Sequence, residues 1–349
     1  MLSKTQLPGQ AKNIPASMNA MVYDDYGDEQ VLHEATIAIP DRDTDEVLIR
    51  VHASSVNPID YRLRSGEMKG LLPGGFPRVP GYDVAGVVVE CGEDSPFQVG
   101  DRVMAFLDSV RGGACADFAA CGIHCAAKLP AQMPMDVAAA IPLAGTTALQ
   151  SLRDHGRMKS GDRVLINGAS GGVGMFAVQI AKAHDCHVDA VASGDNRDFC
   201  LSLGADHFYD YEKTDFSESS ERWDIVFDAS GKSSYWKARP VMNDGGRYVS
   251  TEPDVMGILM KVITWPLSKS GTVMLAKPSA TDLDELIRLY ELGKLKVTID
   301  SRYAMKDVSK AHHRVDHGVD RGKVVLLNHA FIETDANLMA TPDAKSTSN

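Results

Sequence analysis

From about Met135 to Lys277, short apolar runs alternate with amphipathic stretches. The run Arg163-Val164-Leu165-Ile166 is too short for a buried helix and predicts a buried strand. Beyond a glycine-rich turn, Val173, Phe176, Ala177, Ile180 and Ala181 recur at i, i+3, i+4, i+7 and i+8, which predicts one face of a helix. Val188 to Ala192 predicts the next strand, and Asp195 to Leu203 a helix stopped by Gly204. Ile225-Val226-Phe227 and Tyr248-Val249-Ser250 predict two more strands, and Val137 to Leu152 reads as helix. Such alternation implies βαβ units and a parallel sheet.

Before Met135 the pattern is different. Val47 to Val51, Asp83 to Glu90 and the turn Val99-Gly100-Asp101 leading into Arg102-Val103 predict strands, with a Pro/Gly loop from Gly70 to Gly81. After Lys277, Thr281 is placed to cap a helix with Asp284 three residues on. Leu283, Leu286, Ile287 and Tyr290 form its apolar face, Gly293 ends it, and Val324 to Leu327 predicts a last strand. The expected architecture is α/β. A doubly wound parallel sheet (135–275) is inserted into a β-rich domain built from residues 1–134 and 276–349.

Composition narrows the function classes. The chain has 349 residues with 36 Lys+Arg against 47 Asp+Glu, a net charge of −11, which argues against a nucleic-acid partner. No apolar run approaches the roughly 20 residues of a membrane span. Six cysteines are too few for a disulfide scaffold and fit a reducing, cytoplasmic setting. The first twenty residues lack the apolar stretch of a signal peptide, and the segment from Glu333 to Asn349 is polar and expected to fray.

The sharpest local signal is Asn167-Gly168-Ala169-Ser170-Gly171-Gly172-Val173-Gly174, between a strand and a helix. That context suits a dinucleotide-binding turn, with Gly171 admitting the pyrophosphate and Gly174 letting the helix pack against the sheet. Ala169 stands where the first glycine is usual. The next strand ends Ala192-Ser193-Gly194, without the acid that holds a ribose 2′-hydroxyl. Ser193, Arg197 and Tyr211 are therefore expected at a 2′-phosphate, favouring NADPH, although Asp195 lies close by. The same turn also matches the G-x-S-x-G elbow of serine hydrolases, with Ser170, Asp228 and His312 or His313 in the right order. Gly231-Lys232-Ser233 imitates the end of a P-loop, but Val226 stands where its first glycine belongs.

Motifs in order along nearly the whole chain complete the picture. They are Ser54-Ser55-Val56-Asn57-Pro58-Ile59-Asp60, Pro80-Gly81-Tyr82-Asp83-Val84-Ala85-Gly86, Val99-Gly100-Asp101-Arg102-Val103, Gly145-Thr146-Thr147-Ala148, the glycine turn, and Arg321-Gly322-Lys323-Val324-Val325. With these the chain resembles the medium-chain dehydrogenase/reductase superfamily, and within it the zinc-free quinone oxidoreductase and alkenal/enone reductase branch, including the chloroplast-envelope type. The resemblance implies a Rossmann sheet inserted into a GroES-like catalytic domain. At the positions where zinc-dependent members carry ligands stand Asn57, Tyr82 and Leu143, which do not bind zinc, and the four-cysteine zinc lobe is missing between Phe106 and Gly112. The remaining Cys115, Cys121, His124 and Cys125 do not form a common metal pattern. On an extended segment Cys121 and Cys125 share a face that His124 does not, so the cysteines read as small hydrophobes and no metal is expected.

Without a Lewis acid, a conjugated acceptor is the natural substrate, because hydride delivery leaves an enolate that a hydrogen bond can stabilise. The expected activity is NADPH-dependent reduction of quinones or α,β-unsaturated carbonyls, with NADH the lesser cofactor. Tyr82 is the first candidate donor, Asn57 touches ribose or substrate, and Asp60 and Tyr61 are second choices. Asp60 and Tyr82 also have structural readings, as helix cap and core aromatic. The resemblance further implies Thr147 at the nicotinamide, Ser170, Gly171, Gly172 and Val173 at the pyrophosphate, Ser230 and Thr251 at strand ends, Lys323 at the diphosphate, and the backbone around Leu275 beside the nicotinamide. It also implies a homodimer. A cofactor-binding regulatory protein and the serine hydrolase are the rival readings.

Overall fold

The computed structural model describes residues 14–69, 75–109, 112–252, 264, 267–328 and 330. The first part of the expected Pro/Gly loop, 70–74, and the polar C-terminal segment fall outside them.

Two large sheets organise the chain. The first contains β3 (Glu46–Val56), β4 (Asp83–Cys91), β5 (Arg102–Phe106), β6 (Phe118–Gly122), β7 (Ala126–Lys128), β14 (Ile299–Ala304) and β15 (Lys323–Leu327). Its order is β14-β15-β3-β4-β5-β7. One edge of β3 is shared, Glu46 to Arg50 pairing with β6 and Ala53 to Val56 with β15. A two-stranded ribbon, β1 (Ser17–Val22) with β2 (His33–Ala38), lies apart from this path.

The second sheet contains β8 (Arg163–Asn167), β9 (His187–Ala192), β10 (His207–Asp210), β11 (Trp223–Asp228), β12 (Met242–Ser250) and β13 (Ser270–Val273). All neighbouring pairs are parallel, in the order β10-β9-β8-β11-β12-β13. Counted from β8 this is 3-2-1-4-5-6, the doubly wound order whose switch point lies between β8 and β11. Both faces are covered, as a parallel sheet requires. Val164, Ile166, Val188 and Ala190 share one core with Phe176, Ala177, Ile180 and Ala181 of helix α4 (Gly174–Ala183), whereas Leu165, Val191 and Val226 pack with Trp223 and Tyr235. The α/β class and the GroES-like and Rossmann pairing expected from the sequence are both present.

The remaining helices are α1 (Pro58–Ser65), α2 (Met135–Ala139), α3 (Pro142–Gln150), α5 (Arg197–Ser202), α6 (Tyr235–Ala238), α7 (Ala280–Glu291) and α8 (Val308–Asp316). Three local expectations are corrected. The stretch from Val137 to Leu152 is two helices, because Pro142 opens a new one at its first position, and it continues into a π-type turn, Ser151–His155. Asp195 does not open a helix; Gly194–Asn196 forms a 3-10 turn before α5. The cap of α7 is Ser279, whose side chain accepts from Asp282 N–H, and Thr281 lies inside the helix.

Candidate active site

The glycine turn is fixed by close approach. A Cβ on Gly174 would lie 2.0 Å from Gly168 O, so only glycine lets α4 start this near β8. Gly168 has φ +82° and makes the tight turn itself, which explains why Ala169 suffices at the next position. A Cβ on Gly172 would meet the Lys323 stem at 2.9 Å, and Gly322 N–H donates to Ser170 O at 3.1 Å. The pyrophosphate turn is thus seated on the start of β15, and two sheets meet at one point.

Lys323 enters a buried polar cluster there. Its ammonium donates to Asn57 Oδ1 and lies 3.6 Å from Asp83 Oδ2. Asp83, fully buried, also accepts from Ser55 Oγ at 2.5 Å, Asn57 Nδ2 at 2.8 Å and Leu143 N–H at 2.7 Å. Asp60 accepts from Asn57 N–H at 2.7 Å, and its other oxygen, Oδ1, is buried with no hydrogen-bond partner among the described residues. One lysine can balance one carboxylate, and Asp83 is that carboxylate. Burial, reinforced by the charge of Asp83, pushes Asp60 up to about 7. Burial lowers the Lys323 pKa, while Asp83 and Asp60 oppose the shift.

Tyr82 is half-buried, with Asp60, Tyr23 and Arg78 around its hydroxyl. Burial and the charge of Asp60 push its pKa well above the usual tyrosine range, so it stays protonated and can only donate or accept as a phenol. Tyr61 is partly exposed and lies beside Arg62. Arg62 in turn makes a two-pronged contact with Glu252, at 2.9 and 3.0 Å, tying α1 to the chain just after β12.

At the switch point lies a cavity of about 570 Å³. Its lining includes Ser170, Gly171, Ser193, Tyr211, Ser230 and Lys232. The floor is rigid: Asp228 accepts from Asn167 Nδ2 at 2.9 Å, Ser230 Oγ at 2.8 Å, Ser233 N–H at 2.7 Å and Tyr248 Oη at 3.1 Å. Thr147 is buried and its hydroxyl donates to Leu143 O at 2.7 Å. Val173 closes the turn before α4. Thr251 N–H donates to Asp228 O at 3.2 Å, and Leu275 is exposed just past the end of β13.

Two expectations are redirected by these contacts. Arg197 does not line the cavity; its guanidinium lies over the Phe208 ring, 5.9 Å from the centroid. The basic groups on the cavity wall are Lys232 and Lys237, the latter paired with Asp215 at 2.8 Å. The Asn57 amide, expected to reach ribose or substrate, is engaged at both ends by Asp83 and Lys323. The serine hydrolase reading fails: Asp228 is already engaged by Asn167, Ser230, Ser233 and Tyr248, His312 is buried in α8 with neither ring nitrogen hydrogen-bonded among the described residues, and the His313 ring is held by Glu29 at 3.0 Å. Asp83 was missed. A charged residue opening an otherwise apolar buried strand demands a partner, and that signal was present in the sequence.

Comparison with known proteins agrees with this geometry. Residues 43–126 match the alcohol dehydrogenase GroES-like domain and residues 203–326 a zinc-binding dehydrogenase domain. The chain is 33% identical over 323 residues to a chloroplastic quinone-oxidoreductase homolog of Spinacia oleracea, covering 88% of this chain and 98% of that protein. It is 33% identical over 326 residues to 2-methylene-furan-3-one reductase of Solanum lycopersicum, covering 90% and 80%. The quinone oxidoreductase structure from Coxiella burnetii superposes with a TM-score of 0.80 at 30% identity, covering 90% of this chain and all of that one. The chain therefore belongs to the medium-chain dehydrogenase/reductase superfamily, in its quinone and alkenal/enone reductase branch, and is a nicotinamide-dependent oxidoreductase.

Proposed function

We propose that the protein reduces quinones or α,β-unsaturated carbonyls with NADPH and without zinc. The observation that carries this reading is the Lys323 ammonium held between Asn57 and Asp83. It places a positive charge against Asp83, the carboxylate there that a metal ion would otherwise recruit. A divalent cation beside it would be repelled, and Tyr82 and Leu143 offer no competent third ligand. The nicotinamide cofactor fits: the glycine turn, the helix terminus of α4 and the rigid Asp228 floor form the cradle it needs. When bound, it supplies the hydride.

The chain's own residues then position and polarise. The Tyr82 phenol is the best-placed donor to an oxygen gaining negative charge, and its raised pKa keeps the proton on the phenol while the hydrogen bond strengthens. Asn57 and Asp83 fix the backbone before α1 and the position of Lys323, and solvent supplies the proton to carbon. For NADPH over NADH, support comes from Ser193, Tyr211 and Lys232 on the cavity wall, where no acid ends β9. We also propose a homodimer joined along the edge of β13, which no other described strand pairs, and sedimentation at the mass of one chain would overturn it. The activity is tested by following NADPH oxidation with a panel of quinones, enals and enones in the presence of a chelator. Turnover that persists in chelator is expected. Loss of turnover on metal removal, or cofactor binding with no acceptor reduced, would overturn the reading.

A further inference from the structure

Away from the catalytic cluster, three unlike side chains converge on one point. Asp108 follows β5, while His124 and Cys125 lie between β6 and β7. One carboxylate oxygen, one ring nitrogen and one sulfur lie within 4.8 Å of one another, and His124 Nε2 is 3.6 Å from Asp108 Oδ2. The expectation from sequence put His124 and the cysteines on opposite faces of an extended segment. That segment is not extended: Ile123–Cys125 is a 3-10 turn, which brings His124 and Cys125 to the same side.

Gly122 is the second observation. Its φ of −59° suits any residue, so glycine is not needed there for backbone conformation. It leaves space for the imidazole where it lies. A Cβ at this position would lie 2.5 Å from His124 Cε1, 2.6 Å from His124 Nδ1 and 3.0 Å from Asp108 Oδ2. The absent side chain lets imidazole and carboxylate close over the turn. Cys125 is fully buried beneath them, while Asp108 and His124 are exposed. The carboxylates of Asp108 and Glu46 lie near the thiol and add negative potential around it. Cys115 plays no part, packing in a different cluster with Met21 and Val324.

We propose that Asp108, His124 and Cys125 form a binding site for a divalent transition metal of the zinc class, separate from the catalytic cluster. Sulfur, nitrogen and oxygen donors in one place are the ligand set zinc prefers, and three protein ligands leave a fourth position for water. Binding displaces the thiol proton and ties the segment after β5 to the β6–β7 turn. None of Asn57, Tyr82, Leu143 or Lys323 takes part.

The test uses the full chain stripped by chelator and titrated with cobalt(II) chloride. One equivalent is expected to bind, with a near-ultraviolet sulfur-to-cobalt charge-transfer band and intense tetrahedral ligand-field bands, both erased by zinc. Cys125→Ser should abolish the charge-transfer band. His124→Ala, an exposed change that leaves the core intact, should weaken binding by at least the roughly 10- to 100-fold that loss of a ligand's supporting partner costs. Zinc at a concentration that saturates the parent should raise its thermal midpoint more than that of His124→Ala. Absence of the band, its survival in Cys125→Ser, or equal affinity in His124→Ala would overturn the proposal.

Discussion

Asp60 and Tyr82 differ in what pH can do to them. Tyr82 stays a phenol throughout the range in which the protein is folded, whereas Asp60 ionises at about 7. A charge appearing on Asp60 beside a developing enolate is unfavourable, so turnover of the parent should fall as pH rises through about 7. Asp60→Asn should flatten that limb. Tyr82→Phe should lower kcat by about 100-fold while leaving cofactor affinity unchanged, as expected for a lost oxyanion donor. A parallel readout is stability. Asp60 binds its proton more tightly folded than unfolded, so its contribution falls as pH rises from about 4 to about 7. His312 works the other way: burial depresses it to about 3, and its contribution is lost as pH falls below the ordinary histidine value of 6.5. The whole-protein profile therefore conceals Asp60, but the difference between parent and Asp60→Asn in urea unfolding should isolate it, at about 4 kcal/mol at most across the window. Polar residues at strand ends were legible as site candidates because such ends face the crevice. Which of them touch each other was not: Arg197 has the charge for a phosphate, yet its helix face carries it onto Phe208.

At the level of elements, the start of β15 joins the two sheets. Gly322 reaches the glycine turn, Lys323 reaches Asn57 and Asp83, and Arg321 grips Asn196 Oδ1 and Asp195 O, both at 2.6 Å, beside the end of β9. Lys323→Met would leave Asp83 buried beside no cation, and the expected loss is about 3–5 kcal/mol, read from urea midpoints. Adding Asp83→Asn should recover most of that loss, since an amide carries no charge to balance. A simple sum of the two single losses would place Lys323 in some other structural role. The parallel sheet was readable from sequence because each element carried its own period and stop signal, from the apolar face of α4 to Gly204, whose φ of +104° ends α5. Boundaries were less readable where the chain competes locally. Pro142 splits a run that is apolar from Val137 to Ala144, and Ser279 caps α7 because its hydroxyl, not that of Thr281, faces the free N–H groups. The role of β15 depends on the chain returning to a sheet begun more than 250 residues earlier, and no local pattern encodes that return.

For the whole molecule, cofactor choice is a balance of charge over a large acidic surface. The net charge of −11 opposes an incoming phosphate at long range, so a 2′-phosphate must be recovered by local contacts. The cavity wall provides them unevenly. Lys237 is already paired with Asp215, whereas the Lys232 side chain stands exposed at the rim near Ser230, with Tyr211, itself 60% exposed, also on the lining. Lys232 is therefore the residue on which discrimination should turn. Lys232→Ala should weaken NADPH binding by about tenfold, the worth of one charge-assisted contact of about 1.4 kcal/mol, and leave NADH binding unchanged. Raised salt should narrow the proposed NADPH preference more in the parent than in the variant, because the contact removed is ionic and solvent-facing. Thermal shift at matched saturation gives a second measure, since ligand at one hundred times its dissociation constant stabilises by about 2.7 kcal/mol. Equal weakening of both cofactors in Lys232→Ala would mean that Lys232 serves the diphosphate they share, and the preference for NADPH would then have to rest on Ser193 and Tyr211 alone.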